Sequence, residues 1–228
     1  MTLMAAVLSH VLFAYLVVGE PVVGIYCYRA LQRDVATDPS ARSRFFRLII
    51  LVEWTWLAIV AIILMARRDP IAAIGLRGMA TSPIVVGLVT GILAGLVAST
   101  AAFALNPRSR AWFRKQVAGV GALLPTTPGE RWLFAGVAIT AGLCEEIVFR
   151  GFLRLYLEGL GLPLTATGVV AALIFGVAHA YQGWRGMAQT AAMGGAFMAL
   201  FVASGSLLPG MVAHALIDLR VLVIARGA

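Results

Sequence analysis

Seven stretches of this 228-residue chain are predominantly apolar. They fall at about residues 3–28, 46–66, 84–105, 131–153, 165–182, 187–203 and 207–225. A helix needs about 20 apolar residues to cross a bilayer, so seven of them need about 140. Hydrophobic residues are 61% of the chain and charged ones 12%. A soluble domain has an apolar share near one half and about a quarter charged residues. Too little charge remains here to cover a water-facing surface. That excludes a water-soluble enzyme, a disordered chain and a disulfide scaffold. The expected fold is all-α: a polytopic transmembrane helix bundle of about seven spans, with an eighth span or a re-entrant piece as the alternative. It forms one membrane domain over residues 1–228, with any active site inside the bundle.

The net charge of +8 comes from 18 Lys and Arg against 10 Asp and Glu. These bases do not form a stripe on a polar domain, so nucleic acid is not an expected partner. They cluster between apolar runs, the pattern that orients membrane proteins. Arg29, Arg33, Arg42, Arg44 and Arg47 follow the first run, and Arg108, Arg110, Arg114, Lys115 and Arg131 follow the third. Arg185 lies in the fifth-to-sixth turn, and Arg220 and Arg226 near the C-terminus. The alternate connections hold fewer: Arg67, Arg68 and Arg77, then Arg154, then none over 204–209. The expected topology is multi-pass in the cell membrane, N-terminus outside and C-terminus cytoplasmic. Cys27 and Cys144 lie in or at the end of apolar runs, where a structural disulfide is not expected. Glu20-Pro21 is expected to kink the first helix or end its regular part. Gly87, Gly91 and Gly95 form a small-residue row that reads as a helix-packing face, and Trp54 and Trp56 as an interfacial aromatic belt.

Charges inside spans are costly and mark functional sites by default. The densest group is Cys144-Glu145-Glu146-Ile147-Val148-Phe149-Arg150 in the fourth span. Residues four apart share a helix face, so Glu146 and Arg150 can pair. Glu145 is turned about 100° away and needs a partner from another helix. Two are available: His179, late in the fifth span, and His214 with Asp218 four residues on in the seventh. A carboxylate, two imidazoles and a second acid on three spans converge only inside a bundle. They make an inventory for acid–base work on a water molecule. Their depths differ by an expected offset on the order of 10 Å at about 1.5 Å per residue. Helix tilt or an unwound stretch at 204–210 would close it.

These residues resemble the type II CAAX prenyl endopeptidases and bacteriocin-processing or immunity proteins, also called the Abi family. The family motifs EExxxR, FxxxH and HxxxN match Glu145-Glu146 with Arg150, Phe175 with His179, and His214 with Asp218. The likeness covers about residues 131–222, taken as the catalytic core. It implies a glutamate-type intramembrane endopeptidase acting on a membrane-associated protein or hydrophobic peptide. Glu145 and His179 would activate a water, and His214 and Asp218 would complete the water site or stabilise the oxyanion. Glu146 and Arg150 would organise the site. Asp218 stands where the prenyl-protease branch usually has Asn. An amide can donate to an oxyanion and an ionised carboxylate cannot, so Asp218 must stay protonated, orient His214 or bind a cation.

Alternatives stand beside this reading. No cofactor is expected, although Glu145, His179 and His214 are the donor types of a catalytic zinc site. A non-catalytic protein of the same fold, an immunity factor or scaffold, is the second function. A proton-relay transporter is the third, against which no repeat symmetry is visible. His10 reads as a packing residue or a structural hydrogen bond, and Cys144 as a small packing residue. Glu53 reads as reaching the interface or pairing with an arginine such as Arg47, with a proton relay as its alternative.

Overall fold

The computed structural model describes residues 3–224. Position 225, the expected end of the seventh segment, and Arg226 lie outside the described residues. The chain forms α1 (Leu3–Asp34), α2 (Ala41–Arg67), α3 (Pro83–Leu105), α4 (Pro107–Gln116), α5 (Pro128–Gly159), α6 (Leu164–Ala178), α7 (Gly183–Ser204) and α8 (Leu208–Ile224). No strand occurs among the described residues. Each of the seven apolar segments coincides with a helix. Five helices are long and apolar enough to cross a membrane: α1, α2, α3, α5 and α7 with the turn before it. α6 and α8 have 15 and 17 residues. At about 1.5 Å per residue they rise about 23 and 26 Å, short of a ~30 Å hydrocarbon core. Large apolar side chains such as Met65, Ile84, Leu105, Val169 and Trp184 lie exposed along the outside. Such faces belong in lipid, and the protein is a multi-pass membrane protein.

α5 is the centre. It packs on α2 and α8, while α6 and α7 pair closely and α3 lies outside α8. The most apolar window of α5 is 56% buried, against 6% for α3. Thr127 and Glu130 form a capping box at the start of α5, with Pro128 in the first turn. Arg42 of α2 pairs with the same Glu130 at 3.3 Å, tying the two helices together there.

The connections alternate between the two ends of the bundle. At one end Tyr28 Oη donates to the Gly119 carbonyl at 2.8 Å, Arg42 Nε donates to the Ala122 carbonyl, and Tyr181 packs on Tyr28. At the other end Ser206 Oγ donates to the Arg77 carbonyl, and the Leu207 amide to that of Gly75. The richly basic connections thus share one end and the poorly basic ones the other.

Four features depart from expectation. Glu20-Pro21 neither ends nor breaks α1, which runs on to Asp34. A wide π-helical turn at Tyr15–Gly19 precedes the proline. Its wider backbone gives the ring room against the preceding turn and spares the missing N–H. Residues 107–116, expected as a loop, form the short basic helix α4, capped by Asn106 through the Arg108 and Ser109 amides. The glycine row on α3 is not a packing face within the chain. A Cβ at Gly87, Gly91 or Gly95 would meet nothing within 4 Å. It is Val89 of α3 that is buried, on Phe197, Leu200 and Ala213. Trp56 is not an interfacial residue either. It is buried fifteen positions into α2, with its ring 5.9 Å from Tyr15.

The close approaches that matter lie elsewhere. A Cβ at Gly142 would stand 2.8 Å from the Met211 carbonyl and the Ala215 amide of α8. One at Gly176 would stand 2.7 Å from the Met187 carbonyl of α7. Overpacking a tight contact costs about 1–3 kcal/mol. Gly142→Leu should therefore lower the thermal unfolding midpoint of the detergent-purified protein, whereas Gly87→Leu should leave it unchanged.

Candidate active site

The second π-helical turn, Glu146–Phe152 in α5, carries most of the EExxxR stretch. Such turns are rare and frequent at functional sites. Glu146 and Arg150 are 1% and 2% exposed, and Arg150 Nη1 lies 3.0 Å from Glu146 Oε1. The guanidinium also sits over the Phe175 ring at 4.2 Å from its centroid, and 5.3 Å from that of Phe197. The Phe of FxxxH is thus the platform on which α6 receives the arginine of α5. Two small residues make room. Cβ atoms at Gly194 and Gly210 would come within 3.2 Å of Arg150 Nη2 and 3.1 Å of Glu146 Oε2.

Glu146 has a second partner. His214 Nδ1 lies 3.1 Å from its Oε1. A carboxylate only accepts, so Nδ1 carries the hydrogen and donates. The other nitrogen, Nε2, then faces Glu145 Oε2 at 3.7 Å and Asp218 Oδ2 at 3.8 Å. Both separations are too long for a direct hydrogen bond and suit groups sharing a water. Glu145 Oε2 is buried without a hydrogen-bond partner. His179, at the end of α6, is fixed in the same manner. Its Nδ1 donates to the Phe175 carbonyl at 2.9 Å, which leaves Nε2 free. The two imidazoles flank Phe175, at 4.8 and 6.1 Å between ring centroids.

Glu145, His179, His214 and Asp218 line one cavity of about 350 Å³. It reaches Val120 and Gln182 at the basic end of the bundle. A second cavity of about 130 Å³ between α1 and α2 shares Glu145 and His179 with it. The expected offset in depth does not keep the histidines apart: both flank Phe175 and both line the larger cavity. The six residues singled out in the sequence therefore come together. Among the described residues, no group of three His, Cys, Asp or Glu is arranged to hold a metal ion. Glu145, His179 and His214 do not form such a donor set.

Glu53 is the correction. It reaches no interface and makes no ion pair with Arg47 or any other base among the described residues. It is 4% exposed and lines both cavities. Glu20, which accepts from Tyr15 Oη at 2.8 Å, lines the smaller one. The signal for both was present: an acid in mid-span, with Glu53 about 18 Å along α2 at 1.5 Å per residue. His10 and Cys144 match their packing roles. His10 bonds the Ala6 carbonyl and lies edge-on to Tyr156, and Cys144 is fully buried; both cysteines are free thiols.

Residues 127–220 match the family model described as type II CAAX prenyl endopeptidase Rce1-like. This part of the chain is similar to that family. The matched stretch takes in α5, α6, α7 and most of α8, with all six residues of the three motifs. Its description makes the family one of proteases. Comparison with curated proteins and with solved structures gave no match. Helices α1 to α4, and with them Glu20 and Glu53, lie outside the Rce1-like segment.

Proposed function

We propose that this protein is a glutamate-type intramembrane endopeptidase that hydrolyses a peptide bond of a membrane-associated protein or hydrophobic peptide. One observation carries the reading: Glu145 presents a buried, unpartnered carboxylate oxygen to a cavity that it shares with His179, His214 and Asp218. Glu145 and the free Nε2 of His179 hold a water and take its proton. Glu146 aligns His214 much as a carboxylate orients a catalytic imidazole, and Arg150 holds Glu146. His214, with acceptors near both nitrogens, presents an Nε2–H to the oxyanion as it forms. Asp218 orients that imidazole from the far side. The cavity reaches the basic end of the bundle, which the charge rule makes cytoplasmic. On this reading the N-terminal end of α1 is outside, and the substrate enters from the cytoplasmic side.

The role given to Asp218 has a direct check. Asp218→Asn keeps a polar group beside Nε2 and adds a donor, so cleavage should persist. Asp218→Leu removes the polar group that holds His214 in place, and if the Nε2–H no longer meets the oxyanion the loss is about 10²–10³ in kcat. The activity itself is tested by incubating purified protein with solubilised membrane proteins and identifying new peptide termini. Termini should appear with serine- and cysteine-directed inhibitors and chelators present. Their absence under all conditions would favour a non-catalytic immunity or scaffold protein.

A further inference from the structure

The proposed mechanism leaves one buried acid unused. Glu53 projects from α2, outside the Rce1-like segment, into the wall common to both cavities. It is more than nine-tenths buried, its Oε2 has no hydrogen-bond partner, and no base among the described residues forms an ion pair with it. The acids near enough to act on it electrostatically are Glu145 from α5, Asp218 from α8 and Glu20 from α1. The titratable side chains sharing its cavities are His179, His214, Tyr15, Tyr28, Tyr181 and Cys27, and Cys144 lies behind Glu145.

An isolated carboxylate in such surroundings is very costly, and like charges sharing a site do not both ionise. Glu146 has Arg150 and His214, and Glu145 and Asp218 both face His214. Glu53 has none of these. Glu20, in the smaller cavity alone, at least accepts from the Tyr15 hydroxyl, so Glu53 is the acid in the wall of the larger cavity that must hold a proton.

We propose that Glu53 is the general acid of the reaction, the proton-holding partner of Glu145; this rests on the endopeptidase reading above. Water adds its oxygen to the acyl carbon and gives one proton to Glu145. The scissile C–N bond breaks, and the departing nitrogen takes the proton that Glu53 held. The proton on Glu145 then passes to Glu53, restoring both groups. One water is consumed, a carboxyl and an amine are formed, and both the base Glu145 and the acid Glu53 are back in their starting states.

The test uses full-length protein in detergent and a peptide spanning a cleavage site mapped as above. Glu53→Gln keeps the size and neutrality of the acid but cannot give up a proton. It should lower kcat by about 10²–10⁴-fold with KM little changed. The same peptide with an activated ester at the scissile bond should be cleaved nearly as fast as by wild type, because its leaving group needs no proton. Infrared spectra at neutral pH should show a protonated-carboxyl band that Glu53→Gln removes and Glu145→Gln retains. Full amide cleavage by Glu53→Gln, with Glu145→Gln inactive, would overturn the proposal and spare the endopeptidase reading. Full cleavage by both variants would overturn both. A carboxyl band unchanged in Glu53→Gln would overturn the proposal whatever the activity. Should Glu53→Gln not fold, Glu53→Asp should shift that band and slow amide but not ester cleavage, and an unshifted band would count against the proposal.

Discussion

Arg150→Ala should unfold or strongly destabilise the protein, by about 3–5 kcal/mol. The substitution leaves Glu146, 1% exposed, without its cation in the low-dielectric centre of the bundle. It also removes the guanidinium that joins α5 to the Phe175 ring of α6. The measurement is the thermal unfolding midpoint of detergent-purified protein, with its yield in membranes. Joint replacement by Glu146→Leu and Arg150→Leu should recover part of the loss, because no unpaired charge then remains. It should not recover cleavage, since His214 loses the acceptor at its Nδ1. A single Arg150→Ala variant as stable as wild type would show that the pair does not hold the centre together.

Glu145→Gln should have the opposite profile: little change in stability and a loss of about 10²–10⁴-fold in cleavage. Glu145 has no ion pair shorter than the 3.7 Å approach to His214 Nε2, and its Oε2 lacks any hydrogen bond. Removing its charge therefore disrupts no packing and relieves some crowding among acids. What disappears is the group that takes the proton from water. His179→Ala should follow it in activity. It also leaves the Phe175 carbonyl without the side-chain donor at the end of α6, so a small stability loss of about 0.5–1.5 kcal/mol should accompany it.

The contrast between these neighbours was legible in the sequence. Four-residue spacing set Glu146 and Arg150 on one face and turned Glu145 away, and the pair holds although the helix widens to a π-turn from Glu146 onward. The seven helices were legible for a related reason. Lipid demands an unbroken apolar run, and composition reports that directly. Rotation and depth are set by contacts that no single segment carries, and there the sequence said less. The glycine row on α3 has the spacing of a packing face yet points outward, because Val89 on the other side takes the contact with α7 and α8. Glu53 is marked in the sequence as an acid in mid-span, but its place between the two cavities emerges only when α2 is set against α1 and α5. The link between EExxxR and FxxxH through the Arg150–Phe175 contact joins two helices and leaves no trace in the spacing of either.

The central claim is that Glu145 activates water in the bundle interior. The most direct measurement compares new peptide termini formed from solubilised membrane proteins by purified wild type and by Glu145→Gln, both shown to be folded. Defined termini with wild type and none with Glu145→Gln are the predicted result. The same termini at the same rate with both would contradict it.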